Sequence, residues 1–205
     1  MNDWRLSASI EHLEQRAQLL AQARAFFAER DVIEVQTPAL AKDSVTEPDV
    51  QSIEVPGYGY LQTSPEYQMK RLLAAGMPSC YQLGPVFRHG EQGRLHNHEF
   101  TMLEWYRLGF DHNRLMYEVA ELVDALLGPK PYQRLTHEDV VGKSKGRMRD
   151  VLDVAFAEAC ERLIPGRFFI TDYPADQAAL ARINPDGQTA ARFELVIDRI
   201  EIANG

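Results

Sequence analysis

Arg88, Phe100 and Glu104 stand close together near the middle of the chain, and together they suit one kind of ligand. A guanidinium grips phosphate oxygens through paired hydrogen bonds. An aromatic face stacks on a base, and a carboxylate holds an ammonium. The surrounding pattern suggests how they are presented. Residues 80–88 are apolar and strand-like and close on Arg88, a polar loop follows, and residues 100–110 read as a second strand. Alternation along that strand puts Phe100, Met102, Glu104 and Tyr106 on one face, and Thr101, Leu103, Trp105 and Arg107 on the other. Glu104 among apolar neighbours needs a partner, either a ligand ammonium or an internal arginine. Arg88 is either a phosphate clamp or a solvated strand end.

Other residues could join this chemistry. Glu66 follows Ser64-Pro65 and reads either as a favourable charge at a helix start or as a second carboxylate for a diamine. Arg71, Arg94 and Arg107 could form a local basic patch with Arg88. His96 and His98 add donors to the loop, but no third metal ligand lies at useful spacing. Glu201, beside Asn204 and Gly205, is either a surface acid or a hard oxygen ligand for Mg²⁺.

The elements that must position these groups are legible in outline. Residues 9–30 show helical periodicity through Ile10, Leu13, Ala17, Leu20, Ala23, Phe26 and Phe27, with Ser9 as N-cap. Val32–Val35 reads as a strand ended by Pro38. Residues 41–60 read as loop. Ser64 and Pro65 open a helix to about Ala75, with Ser64 as cap and Pro65 in its first position; Gly76 and Pro78 stop it. Asp111 caps a helix striped by Leu115, Met116, Val119, Leu122, Val123 and Leu126, which Gly128-Pro129 ends. Residues 129–146 show little pattern. Residues 147–163 read as a helix with Val151, Leu152, Val154, Ala155 and Ala159 inward. Residues 168–170 read as a strand, and residues 193–203 as a hairpin about Asp198-Arg199. Helices and mostly antiparallel strands in mixed order give an α+β fold class.

Composition narrows the setting. The chain has 205 residues, 45% hydrophobic and 25% charged, enough for a real core. A net charge of −8 disfavours a protein that grips nucleic acid by its backbone. No apolar run reaches the ~20 residues of a membrane span, and the N-terminus lacks a signal-peptide core. Cys80 and Cys160 stand apart, as buried thiols in a reducing cytoplasm.

Three segments, in order, resemble class II aminoacyl-tRNA synthetases. Residues 26–40, FFAERDVIEVQTPAL, resemble motif 1, the helix–strand–proline element of the dimer interface. Residues 87–107, FRHGEQGRLHNHEFTMLEWYR, resemble motif 2. Residues 192–205, RFELVIDRIEIANG, resemble the segment before motif 3 in the lysine, aspartate and asparagine subgroup. Within it, TSPEYQMKRL (63–72), LEWYR (103–107) and YPADQAALA (173–181) are most similar to the elongation factor P (R)-β-lysine ligases, lysyl-tRNA synthetase paralogues without an anticodon-binding domain.

The resemblance implies a single catalytic core over residues 1–205, an antiparallel sheet flanked by helices, C-terminally truncated because the motif 3 region is missing. It implies ATP and Mg²⁺, lysine or β-lysine as substrate, elongation factor P as acceptor in preference to tRNA, a homodimer through the motif 1 region, and the cytoplasm. Arg88 would hold the α-phosphate as the catalytic residue. Glu91, His96, Asn97 and Phe100 would complete the ATP site. Ser64, Glu66, Glu104, Tyr106 and Asn204 would bind the amino acid, and Glu201 the metal. Departures accompany it. Gly90 stands where motif 2 carries glutamate, with Glu91 one step later. His98 replaces a proline, residues 136–150 are short against the family, and Asp198-Arg199 replaces a glycine turn. The partner glutamate of the Mg²⁺ site is expected beyond Gly205. A lysyl-tRNA synthetase core, or a non-catalytic paralogue acting as a binding module, are the other readings.

Overall fold

The computed structural model describes residues 6–46, 50–93, 96–142 and 149–205, with the side chains of 149–151 and 153 outside the description. The chain divides into two compact units, Met1–Gly109 and Phe110–Gly205.

The first unit begins with α1, Ile10–Ala28, capped as expected by the Ser9 side chain, which accepts from the His12 amide. Only the later turns of α1 are buried, through Ala23, Phe26 and Phe27. Ile10 and Leu13 lie 61% and 42% exposed, because the packing of α1 is concentrated at its C-terminal end. Asp31, at φ 54°, turns the chain into β1, Ile33–Glu34. This strand pairs in parallel with β5, Cys80–Phe87, and β5 pairs antiparallel with β6, Glu99–Tyr106. Phe27 is fully buried, stacked on Tyr81 at 4.5 Å and tilted against Trp105 at 5.4 Å. One face of β5–β6 is thereby fixed to α1.

The region read as loop holds a second, small sheet. Its strands are β2 (Leu40–Ala41), β3 (Ile53–Val55) and β4 (Gly59–Leu61), in the order β2-β4-β3. These strands are too short for alternation to register in sequence. Gly59 is required where β2 and β4 meet: it sits at φ 128°, and a Cβ there would lie 2.2 Å from the Ala41 carbonyl oxygen. Helix α2, Glu66–Ala74, follows. Pro65 itself occupies the cap position and offers no side-chain bond. Ser64, one residue earlier, still accepts from the Glu66 amide at 3.2 Å, so it caps from outside the expected frame.

The second unit opens with α3, His112–Leu127, capped by Asp111, which accepts from the Arg114 amide at 2.8 Å. The stretch read as unpatterned contains β7, Tyr132–Thr136, and the short α4, His137–Val141, started by a Thr136–Asp139 capping box. Residues 143–148 lie outside the described residues, and with them the start expected for the next helix. That helix, α5, runs Arg149–Arg162. Leu152 and Ala159 are buried, but Val154 is 61% exposed, against expectation: two residues on from Leu152, it lies about 200° around the helix and faces away from the buried stripe. Strands β8 (Arg167–Pro174), β9 (Thr189–Ile197) and β10 (Ile200–Asn204) complete a sheet ordered β10-β9-β8-β7. Its β7–β8 pair is parallel and the others antiparallel. The β9–β10 turn places Asp198 at φ 48° and Arg199 at φ 75°, a conformation glycine and asparagine usually supply. Side-chain bonds hold it instead. Asp198 accepts from the Gly166 amide, and Arg199 donates to the Leu163 carbonyl, each at 2.9 Å.

The fold class is α+β, as expected, with helices against mainly antiparallel sheets. Both cysteines are buried and free. Among the described residues no helix is long and apolar enough to cross a membrane.

Candidate active site

The first unit gathers the predicted groups around the β5–β6 hairpin and the start of α2. The antiparallel register sets Val86 opposite Phe100 and Phe87 opposite Glu99, so Arg88 emerges where the ladder ends. Its backbone amide donates to the His98 carbonyl at 2.9 Å, fixing the loop base. Its guanidinium lies 5.2 Å from the Phe100 ring centroid. Nε donates to the Thr63 carbonyl at 3.3 Å, which ties the arginine to the segment leading into α2.

Glu91 accepts from the Arg88 guanidinium at 3.3 Å. Gly90 stands at φ 83°, with nothing within 4 Å of an added Cβ. The left-handed residue turns the loop so that the next side chain folds back. A carboxylate one step later in sequence thus still reaches the arginine.

Strand alternation holds as read. Thr101 and Arg107 face α1 and its exit, since Arg16 donates to the Thr101 hydroxyl at 2.6 Å and Arg107 to the Arg30 carbonyl at 3.4 Å. Arg107 is therefore turned away from Arg88, and the four-arginine patch is not formed as expected: adjacent strand positions point to opposite faces. Arg71 is exposed on α2, and Arg94 lies outside the described residues.

On the other face, the Tyr106 hydroxyl donates to Glu104 Oε1 at 2.8 Å. Burial pushes the Glu104 carboxyl up to about 7; the Tyr106 bond opposes this and the negative charge of Glu66 adds to it. Lys70 and Arg88 act on the same carboxyl in the opposite direction. Among the described residues no ion pair involves Glu104; its hydrogen-bond partner is Tyr106. Glu66 is paired with Lys70 at 2.5 Å, one helical turn on. Sequence reading passed over Lys70, though the Glu66–Lys70 spacing of four is a visible signal.

The remaining loop candidates are less engaged. His96 and Asn97 are exposed, and the His96 carbonyl accepts from Gly93 at 2.9 Å. The His98 ring nitrogen Nδ1 lies 3.2 Å from the Arg88 carbonyl.

Glu201 and Asn204 belong to the second unit, on β10, where Asn204 donates to Glu201 at 3.3 Å. There the structure adds a carboxylate that sequence reading did not single out. Glu194, on β9 and in register with Asn204, is buried. Arg192 donates to its Oε1 at 2.7 Å, while Oε2 is buried without a hydrogen bond from the described residues. Burial, then the negative charge of Glu201, raises its pKa. The signal in sequence was an acid within an otherwise apolar strand, Phe193-Glu194-Leu195-Val196.

A helix leading into a parallel strand and a proline, followed by a hairpin with an arginine at its mouth and acids on one face, defines a class II synthetase type of core. The chain belongs to the class II tRNA synthetases of the D, K and N group, whose family model matches residues 1–205. Its relatives carry a more particular name. It is 42% identical to the elongation factor P–(R)-β-lysine ligase of Vibrio cholerae, across the whole chain and 75% of that relative. It is 40% identical to the protein of the same name from Pseudoalteromonas translucida, across the whole chain and 76% of that relative. For the Photorhabdus laumondii ligase the identity is 39%, over 99% of this chain and 75% of the relative. The match to the Vibrio cholerae protein extends over 244 residues against 205 here, so that relative carries additional segments inside the matched region.

Proposed function

We propose that this chain activates lysine or β-lysine with ATP and transfers the acyl group to a lysine of elongation factor P. One observation carries the reading: Arg88, Phe100, Glu66 and Glu104 meet around one hairpin and one helix start, a cation and an aromatic face beside two carboxylates. The names of the relatives supply the acceptor and the lysine isomer.

In the first step a substrate carboxylate oxygen attacks the α-phosphorus of ATP. The bond to the bridging oxygen breaks, pyrophosphate leaves, and an aminoacyl-adenylate forms. Arg88 holds the α-phosphate oxygens, and its charge opposes the negative charge that grows there. Phe100 stacks on adenine, with Asn97 near the base and His96 toward the outer phosphates. Glu91, now on Arg88, exchanges that contact as phosphate arrives. Glu66 and Glu104 bind the two amino groups, Tyr106 orients Glu104, and Ser64 fixes the backbone that carries Glu66. Most of the acceleration comes from position and fixed charge. In the second step the acceptor amine attacks the acyl carbon, AMP leaves, and an amide remains.

In the second unit, the donor set fits a hard divalent cation. Glu201 and Glu194 offer carboxylate oxygens, and Oε2 of Glu194 is buried with no close hydrogen bond among the described residues, the Tyr173 hydroxyl being the donor that acts on this carboxylate from nearby. These two residues would hold Mg²⁺, which supplies positive charge to phosphate oxygens. Asn204, bonded to Glu201, would steady that carboxylate. Ile33 and Leu40, in the motif 1 region, are exposed apolar side chains that suit a second copy of the chain, which supports a homodimer through this region.

Pyrophosphate exchange with L-lysine and β-lysine, followed by offering elongation factor P or tRNA, tests the reading. Exchange and transfer to protein support it. Charging of tRNA alone transfers the assignment to a lysyl-tRNA synthetase core. No exchange from well-folded protein leaves a binding module.

A further inference from the structure

We propose that Lys70 is a tethered ammonium that occupies Glu66 until an amino group of the substrate displaces it, so that Lys70 sets the affinity of the site for diamino acids. This rests on the diamino-acid reading above. Three observations carry it. The first is the pairing itself, Lys70 Nζ on Glu66 Oε1 at 2.5 Å. The second is an asymmetry of exposure: the Glu66 side chain is 24% exposed and that of Lys70 42%. The sheltered carboxylate loses more by standing unpaired than the ammonium does. Lys70, on a flexible four-carbon stem, returns to water readily. The third is convergence. Glu66, Lys70 and Arg88 all lie near enough to act on the Glu104 carboxyl, so the lysine ammonium that is paired with Glu66 is also felt by the second acid that would take the ligand.

A plain helix-surface pair predicts something different. Such an i, i+4 contact contributes a few tenths of a kcal/mol to the helix and nothing to ligand binding. A displaced counter-ion instead competes with every ammonium that enters, and its removal frees Glu66 for the ligand. Lys70 is thus a specificity-determining residue. A ligand must repay the broken Glu66–Lys70 contact with a second ammonium besides the one that Glu104 takes, and an amino acid with a neutral side chain carries only its α-ammonium.

The test is calorimetric binding of L-lysine, β-lysine and ATP to the wild type, Lys70→Gln and Lys70→Arg. Glutamine keeps helix propensity and length without the charge. The expected result is that Lys70→Gln binds both lysines roughly two- to five-fold more tightly. Lys70→Arg, whose fork can hold both carboxylate oxygens, binds them more weakly than the wild type, and ATP affinity stays the same throughout. Unchanged or weaker lysine binding by Lys70→Gln overturns the proposal and leaves the diamino-acid reading standing. A wild type that binds ATP but neither lysine isomer overturns both.

Discussion

The guanidinium of Arg88 lies 5.2 Å from the Phe100 ring centroid, on the far side of one rung of the β5–β6 ladder. This places a cation that suits phosphate next to a face that suits a base, at the mouth of one hairpin. Thr63 and Glu91 hold the guanidinium in place before any ligand arrives. That preorganisation is the basis of the first prediction.

Arg88→Ala removes the phosphate contact. A charge-assisted pair of hydrogen bonds contributes about 1.5–3 kcal/mol, so ATP affinity should fall roughly 10- to 150-fold. Lysine binding should change far less. Titration calorimetry with each ligand separately reads both, and an unchanged ATP affinity would remove the motif 2 role from this residue.

Glu104 makes binding pH-dependent. Its carboxyl is pushed up to about 7, chiefly by burial, and a neutral carboxyl attracts an ammonium poorly. Affinity for lysine should therefore fall as pH drops from about 8 to about 6. Glu104→Gln should bind weakly with a flat profile over that range. A wild-type profile equally flat would refute the role.

The same carboxyl links pH to stability. Its ordinary value is 4.5 and its folded value about 7, so between these the native state holds more proton than the unfolded state. Its contribution is fully present below about pH 4.5 and is lost as pH rises through about 7, on the order of 3 kcal/mol at most. Denaturant unfolding of the wild type against Glu104→Gln at several pH values measures it. The difference between the two proteins should widen toward neutral pH in favour of the glutamine variant.

Arg167 anchors the second unit. It is 3% exposed, pairs with Asp124 at 2.5 Å, and donates to the Gly128 carbonyl at the end of α3 at 2.9 Å. Arg167→Ala leaves the partly exposed Asp124 carboxylate with the Tyr132 hydroxyl alone and takes a donor from a helix-end carbonyl, and should cost about 1–3 kcal/mol in urea unfolding. A loss below about 1 kcal/mol would show that water replaces it without penalty.

Phe27→Ala probes how the first unit supports its site. The ring is fully buried between α1 and the β5–β6 sheet, against Tyr81 and Trp105. Truncation should cost about 3–5 kcal/mol. Since the opposite face of β6 carries Glu104, lysine binding should also weaken in protein that remains folded, read by calorimetry below the melting temperature.

The chain's own pattern determined the long elements and their chemistry. The α1 and α3 caps, the β5–β6 hairpin and the faces of β6 follow from local signals: a cap side chain that accepts from the amide three residues on, and the two-residue alternation of a strand. Arg88, Phe100, Glu66 and Glu104 were legible for that reason. Tertiary structure decided what depends on contacts distant in sequence. The two- and three-residue strands β2, β3 and β4 exist only because they pair with each other, and β7 because it lies along β8. Arg107 was separated from Arg88 by the face it took. Glu104 acquired its raised pKa, Glu66 its lysine, and Glu201 its buried neighbour Glu194, since burial and Coulomb forces act through space and leave no mark in the order of residues.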